Sequence, residues 1–262
     1  IGYDTIGFDK IQYNTIGYDM IRYDTIRYGY GAVWYGTIGY DTIRYACFVM
    51  LFSALTNDCS LELAFLLDSS ESAKDNHGQE KRFVTEVVER MQNTHLQSGR
   101  SLSFRSALLQ YSSHVIPEQT FSQWRGVANF KANIAPIPYI GQGTYVTYAI
   151  TNLTSLYLNE SGTGNIKVAV LLYDGESHPK NPDLFSAVAD AKNQGVRFFA
   201  IGVTPAARET SKMAQLRMLA SSPTTRYLHN LQDKDIVKKI IKELVSPQSE
   251  KNKMIYANIC VC

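Results

Sequence analysis

The chain has 262 residues, with 26 Lys and Arg against 24 Asp and Glu, and its formal net charge is +2 at pH 7. The two signs of charge are interspersed, so the sequence has no electrostatic signature of nucleic-acid binding or of binding to an anionic membrane. No stretch reaches the ~20 consecutive apolar residues that cross a bilayer, so no membrane span is predicted. Roughly 200 residues follow the first 58, which is enough for one domain with a full hydrophobic core.

Residues 1–45 repeat a short unit, Ile-(Arg/Gly/Gln)-Tyr-Asp-Thr, with small variations. Its odd period cannot keep one face of a strand buried, because side chains alternate with a period of two. The codons GAT-ACG-ATA-CGA-TAC encode Asp-Thr-Ile-Arg-Tyr by repeating the word GATAC, and each variant needs one base change. We therefore interpret this segment as translated satellite DNA, expect it to be disordered, and exclude it from fold reasoning. A genuine disordered or β-prone tail is the alternative.

The short apolar run within residues 46–57, "ACFVMLFSAL", has the length of the hydrophobic region of a signal peptide. We interpret it as a possible signal-peptide remnant, with a buried strand as the alternative. The chain is accordingly predicted to be secreted.

The cysteines agree with export. Cys59 stands just before the predicted domain, and Cys260 and Cys262 stand just after it. Because chain ends often lie close together, we predict a Cys59–Cys260 or Cys59–Cys262 disulfide, with the remaining thiol free or paired with another chain. Metal binding by the "CVC" sequence is less well supported. Two N-glycosylation sequons begin at Asn152 and Asn159.

Residues 58–246 alternate between apolar runs and amphipathic stretches, which predicts an α/β fold with a doubly wound, mostly parallel sheet and helices on both faces. Pro117 suggests that the strand containing it lies at an edge of the sheet. Residues 247–262 read as a polar linker with terminal cysteines. The predicted elements are, in chain order, strand 61–68, helix 79–92, strands 101–112 and 114–121, helices 124–134 and 144–158, strand 166–174, helix 182–195, strand 196–203, helix 212–220, strand 226–231 and helix 233–245.

Oxygen-bearing side chains follow the predicted strands at the edge where such sheets bind ligands. The first strand ends in "DSSES", a later loop contains "GQGTYV", and the most apolar strand ends in "YDGES". Two carboxylates and three hydroxyls form a hard, all-oxygen set that suits Mg²⁺ or Mn²⁺. His114 and His178 are read as surface residues, because neither belongs to an i, i+4 pair. The candidate metal ligands are Asp68, Ser70, Ser72, Thr144 and Asp174.

Taken together, these motifs resemble a von Willebrand factor type A domain with an intact metal-ion-dependent adhesion site, over residues 59–245. Val146, Thr147 and Tyr173 depart from common residues of the family, which leaves ligand preference and loop mobility open. Within the family, the sequence is most similar to the A domains of collagen alpha chains, type XXVIII first and type VI as kin. The resemblance implies an extracellular-matrix adhesion module, in which an acidic residue of a matrix-protein partner completes the coordination of the metal. Other collagen chains are possible partners.

Two other functions are alternatives to adhesion. A structural matrix assembly module would carry the same motif as an unused metal site. A Mg²⁺-dependent hydrolase would need a nucleophile with its base or a phosphate-binding loop, and the sequence has neither GxSxG nor GxxxxGK[ST]. The chain is therefore not predicted to be an enzyme.

Overall fold

A computed structural model describes residues 8–13, 19–27, 33–39, 59–96, 102–162 and 164–245. The chain divides into two units, Ile1–Asn57 and Asp58–Cys262. The possible signal-peptide remnant at 46–57 and the linker at 247–262 both lie outside the described residues.

The first unit contains an antiparallel sheet of three strands within the repeat. Strand β1 is Phe8–Tyr13, β2 is Asp19–Arg27 and β3 is Val33–Gly39, in the order β1-β2-β3. The expectation of disorder differs from this finding. Ile, Tyr and Thr have high strand propensity, and both ladders contain a register shift, one in β1 and one between Tyr23 and Ile26. A register shift inserts an extra residue into one strand and so changes which side chains face the same side of the sheet. With such a shift, a repeat of five residues can keep the same residue type on one face. The satellite interpretation concerns the origin of the segment and stays a hypothesis.

The second unit is built on a six-stranded sheet in the order β6-β5-β4-β7-β8-β9, in which only the β5–β6 pair is antiparallel. This confirms the predicted doubly wound, mostly parallel α/β fold. The strands are β4 Cys59–Asp68, β5 Leu102–Tyr111, β6 Val115–Gln119, β7 Ile166–Tyr173, β8 Arg197–Gly202 and β9 Leu228–Asn230. The helices are α1 His77–Gln92, α2 Val127–Ile134, α3 Val146–Glu160, α4 Leu184–Asn193, α5 Thr210–Leu219, α6 Thr224–Tyr227 and α7 Ile236–Val245. Short 3₁₀ helices cover Glu71–Asn76 and Pro205–Arg208.

The two central strands, β4 and β7, are apolar along nearly their whole length because the sheet is covered where they lie. Every residue of β7 except Lys167 is buried, as expected for a parallel strand packed on both faces. Helix α1 buries the apolar face predicted from its spacing, and it packs against α7. That face consists of Phe83, Val84, Val87, Val88 and Met91.

The outer strands of this sheet are short. Strand β6 has five residues and contains Pro117, which confirms the predicted edge position, and β9 at the other side has three residues. Proline has no N–H to donate to a further strand.

The parallel arrangement places the ends of β4 and β7 at one edge of the sheet. Leu66 pairs with Leu171, so Asp68 closes β4 beside the last residue of β7, Tyr173, and Asp174 follows directly. This edge, called here the carboxyl edge, carries the candidate metal ligands.

Candidate metal centre

Backbone hydrogen bonds join the loop after β4 to the loop before α3. Gly141 donates its N–H to the carbonyl of Ser69 at 2.8 Å, and Glu71 donates to the carbonyl of Gln142 at 2.9 Å. Gly141 and Gln142 adopt positive φ angles of 82° and 76°, a conformation that glycine adopts readily and other residues adopt rarely. The loop that carries Thr144 is therefore fixed to the loop that carries Ser70.

The loop after β7 is joined to the same assembly through His178. Its N–H donates to the carbonyl of Thr144 at 2.8 Å, and its ring stacks on Tyr145 with centroids 4.7 Å apart. A Cβ atom at Gly143 would lie 2.9 Å from the His178 ring, so glycine permits this contact. His178 is partly exposed and His114 is exposed, so both lie at the surface as predicted, although the His178 ring also packs against the loop before α3.

The structure thus brings together the three loops that hold the predicted ligands. Asp68 and Ser70 are fully buried, Asp174 is 2% exposed and Thr144 is 5% exposed. The hydroxyls of Ser70 and Ser72 lie 3.2 Å apart.

The carboxylate of Asp68 is only partly hydrogen-bonded. Its Oδ1 accepts the N–H of Ser70 at 2.9 Å, while its buried Oδ2 has no hydrogen-bond partner. The pKa of Asp68 is raised to about 7, chiefly by burial and also by the negative charge of Asp174, while hydrogen bonds from Ser70 and Asp174 oppose the shift. Among the described residues, no Lys, Arg or His forms an ion pair with Asp68 or Asp174. A proton or a bound cation would relieve this repulsion.

A further carboxyl group, that of Glu80 in α1, lies beneath Asp68 and was not predicted. Its Oε2 accepts the N–H of Asp68 at 3.1 Å, and Oε1 has no hydrogen-bond partner. Burial, followed by the charge of Asp68, raises the pKa of Glu80 well above its usual value. The sequence did contain a signal, since Glu80 precedes Phe83, Val84 and Val87 at the spacing of the buried helical face.

The donor set fits a hard divalent cation. Carboxylate and hydroxyl oxygens are the ligands of Mg²⁺ and Mn²⁺, and the free Oδ2 of Asp68 is available to accept a bond. Within the described residues, no group of three or more His, Cys, Asp or Glu is arranged to hold a metal. A site here would therefore rely on two carboxylates and three hydroxyls, as the sequence predicts.

The predicted modification sites lie away from this edge. Cys59 is fully buried at the start of β4 and is disulfide-bonded. Its predicted partners, Cys260 and Cys262, lie outside the described residues, so the pairing stays a prediction. Asn152 and Asn159 are both exposed on α3, and Nδ2 of Asn152 donates to the carbonyl of Tyr148 at 2.9 Å. Glycosylation of either residue stays a prediction.

Solved structures share this fold. The structure of proximal thread matrix protein 1 from the mussel byssus matches with a TM-score of 0.57 and 20% identity, over 72% of this chain and 49% of that one.

In the part of the chain that the structure describes, no helix has the length and apolar character needed to cross a membrane.

Curated relatives extend the similarity to sequence. Matrilin-1 of Gallus gallus is 29% identical over 189 residues, which cover 71% of this chain and 36% of the relative. The collagen alpha-1(VI) chain of Gallus gallus is 30% identical over 163 residues, which cover 56% and 16% respectively. The chain spans well under half the length of these relatives. The predicted kinship with type VI collagen is confirmed, while the likeness to type XXVIII stays a prediction. The model of the von Willebrand factor type A domain matches residues 62–243, and the chain therefore belongs to that family.

Proposed function

We propose that this domain is an extracellular-matrix interaction module that binds protein ligands through a Mg²⁺- or Mn²⁺-dependent adhesion site at the carboxyl edge. The observation that carries the proposal is the pair of buried carboxylates, Asp68 and Asp174: the charge of Asp174 raises the pKa of Asp68, and neither carboxylate forms an ion pair with a described residue. The bound metal would supply an electrophilic position that an acidic side chain of the partner can occupy.

Each residue of the chain has a distinct part in this proposal. Asp68 and Asp174 supply the negative charge that retains the cation. The hydroxyls of Ser70, Ser72 and Thr144 supply neutral oxygens, so the net charge of the site stays low enough to attract a further carboxylate. Glu80 acts as a positioning residue, because its carboxyl group accepts the backbone N–H of Asp68.

The relatives support the matrix context. They include a matrilin and collagen VI chains, and a structure of the mussel byssus protein, with a TM-score of 0.54 and 19% identity, has a zinc-occupied MIDAS motif. We extend these likenesses to this chain as proposals. It would be secreted into the extracellular matrix, cross-linked between Cys59 and Cys260 or Cys262, glycosylated at Asn152 or Asn159, and bound to matrix proteins or to other collagen chains.

The test is binding of the full chain to a panel of immobilised extracellular-matrix proteins, with Mg²⁺ or with EDTA. Calorimetric titration with Mg²⁺ alone measures occupancy of the site. We expect EDTA and Asp174→Ala to abolish both signals. Asp190→Ala is the matched control, because it removes an exposed carboxylate from α4. Matrix binding that survives both EDTA and Asp174→Ala would reject the adhesion site.

Two alternatives predict other outcomes. A structural assembly module with an unused metal site would bind matrix proteins or itself without Mg²⁺, and the exposed side chains of Leu158 and Phe185, at 62% and 64%, are surfaces for such contacts. A Mg²⁺-dependent hydrolase is the less supported alternative. Ser113 lies beside His114, but its hydroxyl donates to Gln142 at 2.5 Å, so it is not poised for activation by the histidine. Ester hydrolysis by the pure chain would favour the enzyme.

A further inference from the structure

A second site lies at the opposite edge of the main sheet, where β7 and β8 begin. A cavity of about 960 Å³ opens there, between the starts of these strands and the ends of α4 and α5. Its volume falls in the range of sites that bind small molecules or short segments of polymer, roughly 300–1,000 Å³. The residues of the candidate metal centre do not line it. We call this space the basic cavity.

The charges around the basic cavity have one sign. Of the described residues that line it, four are basic, Lys167, Lys192, Arg197 and Arg217, and none is acidic. Across the whole chain the two signs are nearly balanced, so this segregation is local. Cations gathered around a concave surface focus a positive potential, which attracts anions.

The cations differ in how much of their hydrogen-bonding capacity is already used. Nζ of Lys192 donates to the carbonyls of Met218 and Ala220 at 2.9 and 2.8 Å, which holds it in the wall of the cavity. The guanidinium groups of Arg197 and Arg217, in contrast, make no hydrogen bond or ion pair with any described residue. These groups therefore keep their donors for a ligand.

Polar groups that are not charged complete the lining. Oε1 of Gln194 is buried there without a hydrogen-bond partner, and Ser222 adds a hydroxyl group to the wall. A ligand with several oxygen atoms and an occasional hydroxyl or amide donor would satisfy such a surface.

We propose that the basic cavity binds tetrahedral oxyanions of the sulfate and phosphate class. A guanidinium group presents paired N–H donors that match the oxygens of such anions, which makes arginine the residue best suited to the contact. The anion is carried either by a sulfated polysaccharide, with one sulfated sugar in the cavity, or by an inorganic ion in solution. The site operates without a divalent cation and independently of the carboxyl edge.

The test uses the full chain in EDTA and three probes: a heparin-derived hexasaccharide, its fully desulfated counterpart, and inorganic sulfate. Affinity is measured by calorimetry or by fluorescence anisotropy at low and high salt. We expect binding of the sulfated hexasaccharide that weakens as salt rises, and no binding of the desulfated one. Arg197→Gln/Arg217→Gln should weaken binding by about tenfold or more, since each lost charged hydrogen bond is worth about a factor of ten.

The matched control is Arg82→Gln/Arg90→Gln, which removes the same charge from α1, an element that does not line the cavity. It should change affinity by less than about twofold. Arg217→Gln alone serves as a second variant if the double variant unfolds, because Arg217 is exposed and its guanidinium group has no described partner. Binding of sulfate without the hexasaccharide would support the cavity and identify the inorganic ion as its occupant. Three outcomes would overturn the proposal. They are equal weakening of binding by both double variants, unchanged affinity in Arg217→Gln and in the cavity double variant, and no binding of any probe.

Discussion

A buried carboxylate lies near each end of strand β4, and the two have opposite electrostatic surroundings. Near the amino end, Glu62 is fully buried and its Oε1 accepts hydrogen bonds from Arg105 at 2.5 and 3.1 Å and from Asn165 at 2.7 Å. At the carboxyl end, Asp68 is equally buried, yet the charge that acts on it is that of a second carboxylate, Asp174.

The comparison of Glu62 with Asp68 indicates which feature distinguishes a candidate metal ligand from another buried carboxylate. Both carboxylates leave one oxygen without a hydrogen bond, Oε2 in Glu62 and Oδ2 in Asp68, so an unsatisfied oxygen alone does not distinguish them. What distinguishes them is the counter-charge. Glu62 has a cation supplied by the fold, whereas Asp68 has none among the described residues. A buried charge without a partner lowers the stability of the folded state. An external cation that binds beside the charge would offset this loss.

The largest expected effect comes from removing the internal cation. Arg105→Met would leave Glu62 buried and unpaired, and we expect the free energy of unfolding in urea to fall by about 3–5 kcal/mol. Glu62→Gln/Arg105→Met should recover at least half of that loss, because it removes both charges together. If the two variants were equally unstable, packing by the Arg105 side chain, which also lies over the Phe121 ring at 5.3 Å, would explain the loss instead.

The next effect is stabilisation by the external cation. Mg²⁺ at a hundred times its dissociation constant should raise the free energy of unfolding by about 2.7 kcal/mol, because the ion binds the folded state only. Thermal unfolding with and without EDTA measures this gain. Asp68→Ala should eliminate it, while Glu89→Ala, at an exposed carboxylate of α1, should retain it. A gain of the same size in Asp68→Ala would place the ion elsewhere.

A smaller effect should appear in the pH dependence of the metal-free chain. Because the folded-state pKa of Asp68 is raised to about 7 from 3.8, the folded state holds a proton that the unfolded state has released. The stability contributed by this proton is complete below about pH 4 and is lost as pH rises through 7. Asp174→Asn removes one cause of the shift, so the variant should lose less stability between pH 5 and pH 8, by about 2 kcal/mol.

The measurement is the difference in unfolding free energy between wild type and Asp174→Asn at each pH, in EDTA. Taking the difference cancels His77 and His229, whose pKa values are lowered by burial and whose effect on stability has the opposite sign. A difference that does not vary with pH would show that Asp174 does not act on Asp68.

The smallest effect concerns the residue before Asp174. The hydroxyl of Tyr173 lies 2.7 Å from both Ser177 Oγ and Gln215 Oε1, joining the loop after β7 to α5. Tyr173→Phe should lower the free energy of unfolding by about 1 kcal/mol and weaken Mg²⁺ binding by no more than a few fold. Tyr148→Phe, at an exposed tyrosine of α3, should change neither quantity. A large loss of Mg²⁺ affinity in Tyr173→Phe would make this hydroxyl part of the metal centre.

Much of the fold and of the candidate metal centre was predictable from sequence, because the ligand motifs follow the strands directly in the chain. The run from Leu61 to Asp68 predicted both a buried strand and the position of its terminal carboxylate, and the run from Ile166 to Asp174 did the same. The grouping of Asp68, Thr144 and Asp174 at one edge followed from the parallel direction of the strands.

Contacts between distant loops were not predictable. The stacking of His178 on Tyr145 depends on how two loops far apart in sequence meet, and a single sequence does not contain that information. Glu80 was missed because charged residues are common on amphipathic helices, although its register placed it on the buried face. The period of the repeat does not by itself predict its strands, because the register shifts of the two ladders do not follow from it.

The short outer strands of the main sheet limit the ways in which this domain can associate with other chains. A long, regular outer strand is a template onto which another chain adds its own backbone, and such growth leads to fibres. Here one outer strand, β6, has five residues including Pro117, and the other, β9, has three residues. Intermolecular sheet extension from this domain is thereby disfavoured at both outer strands. Its contacts with neighbours would therefore form through side chains on loops and helices, where they can be selective and reversible.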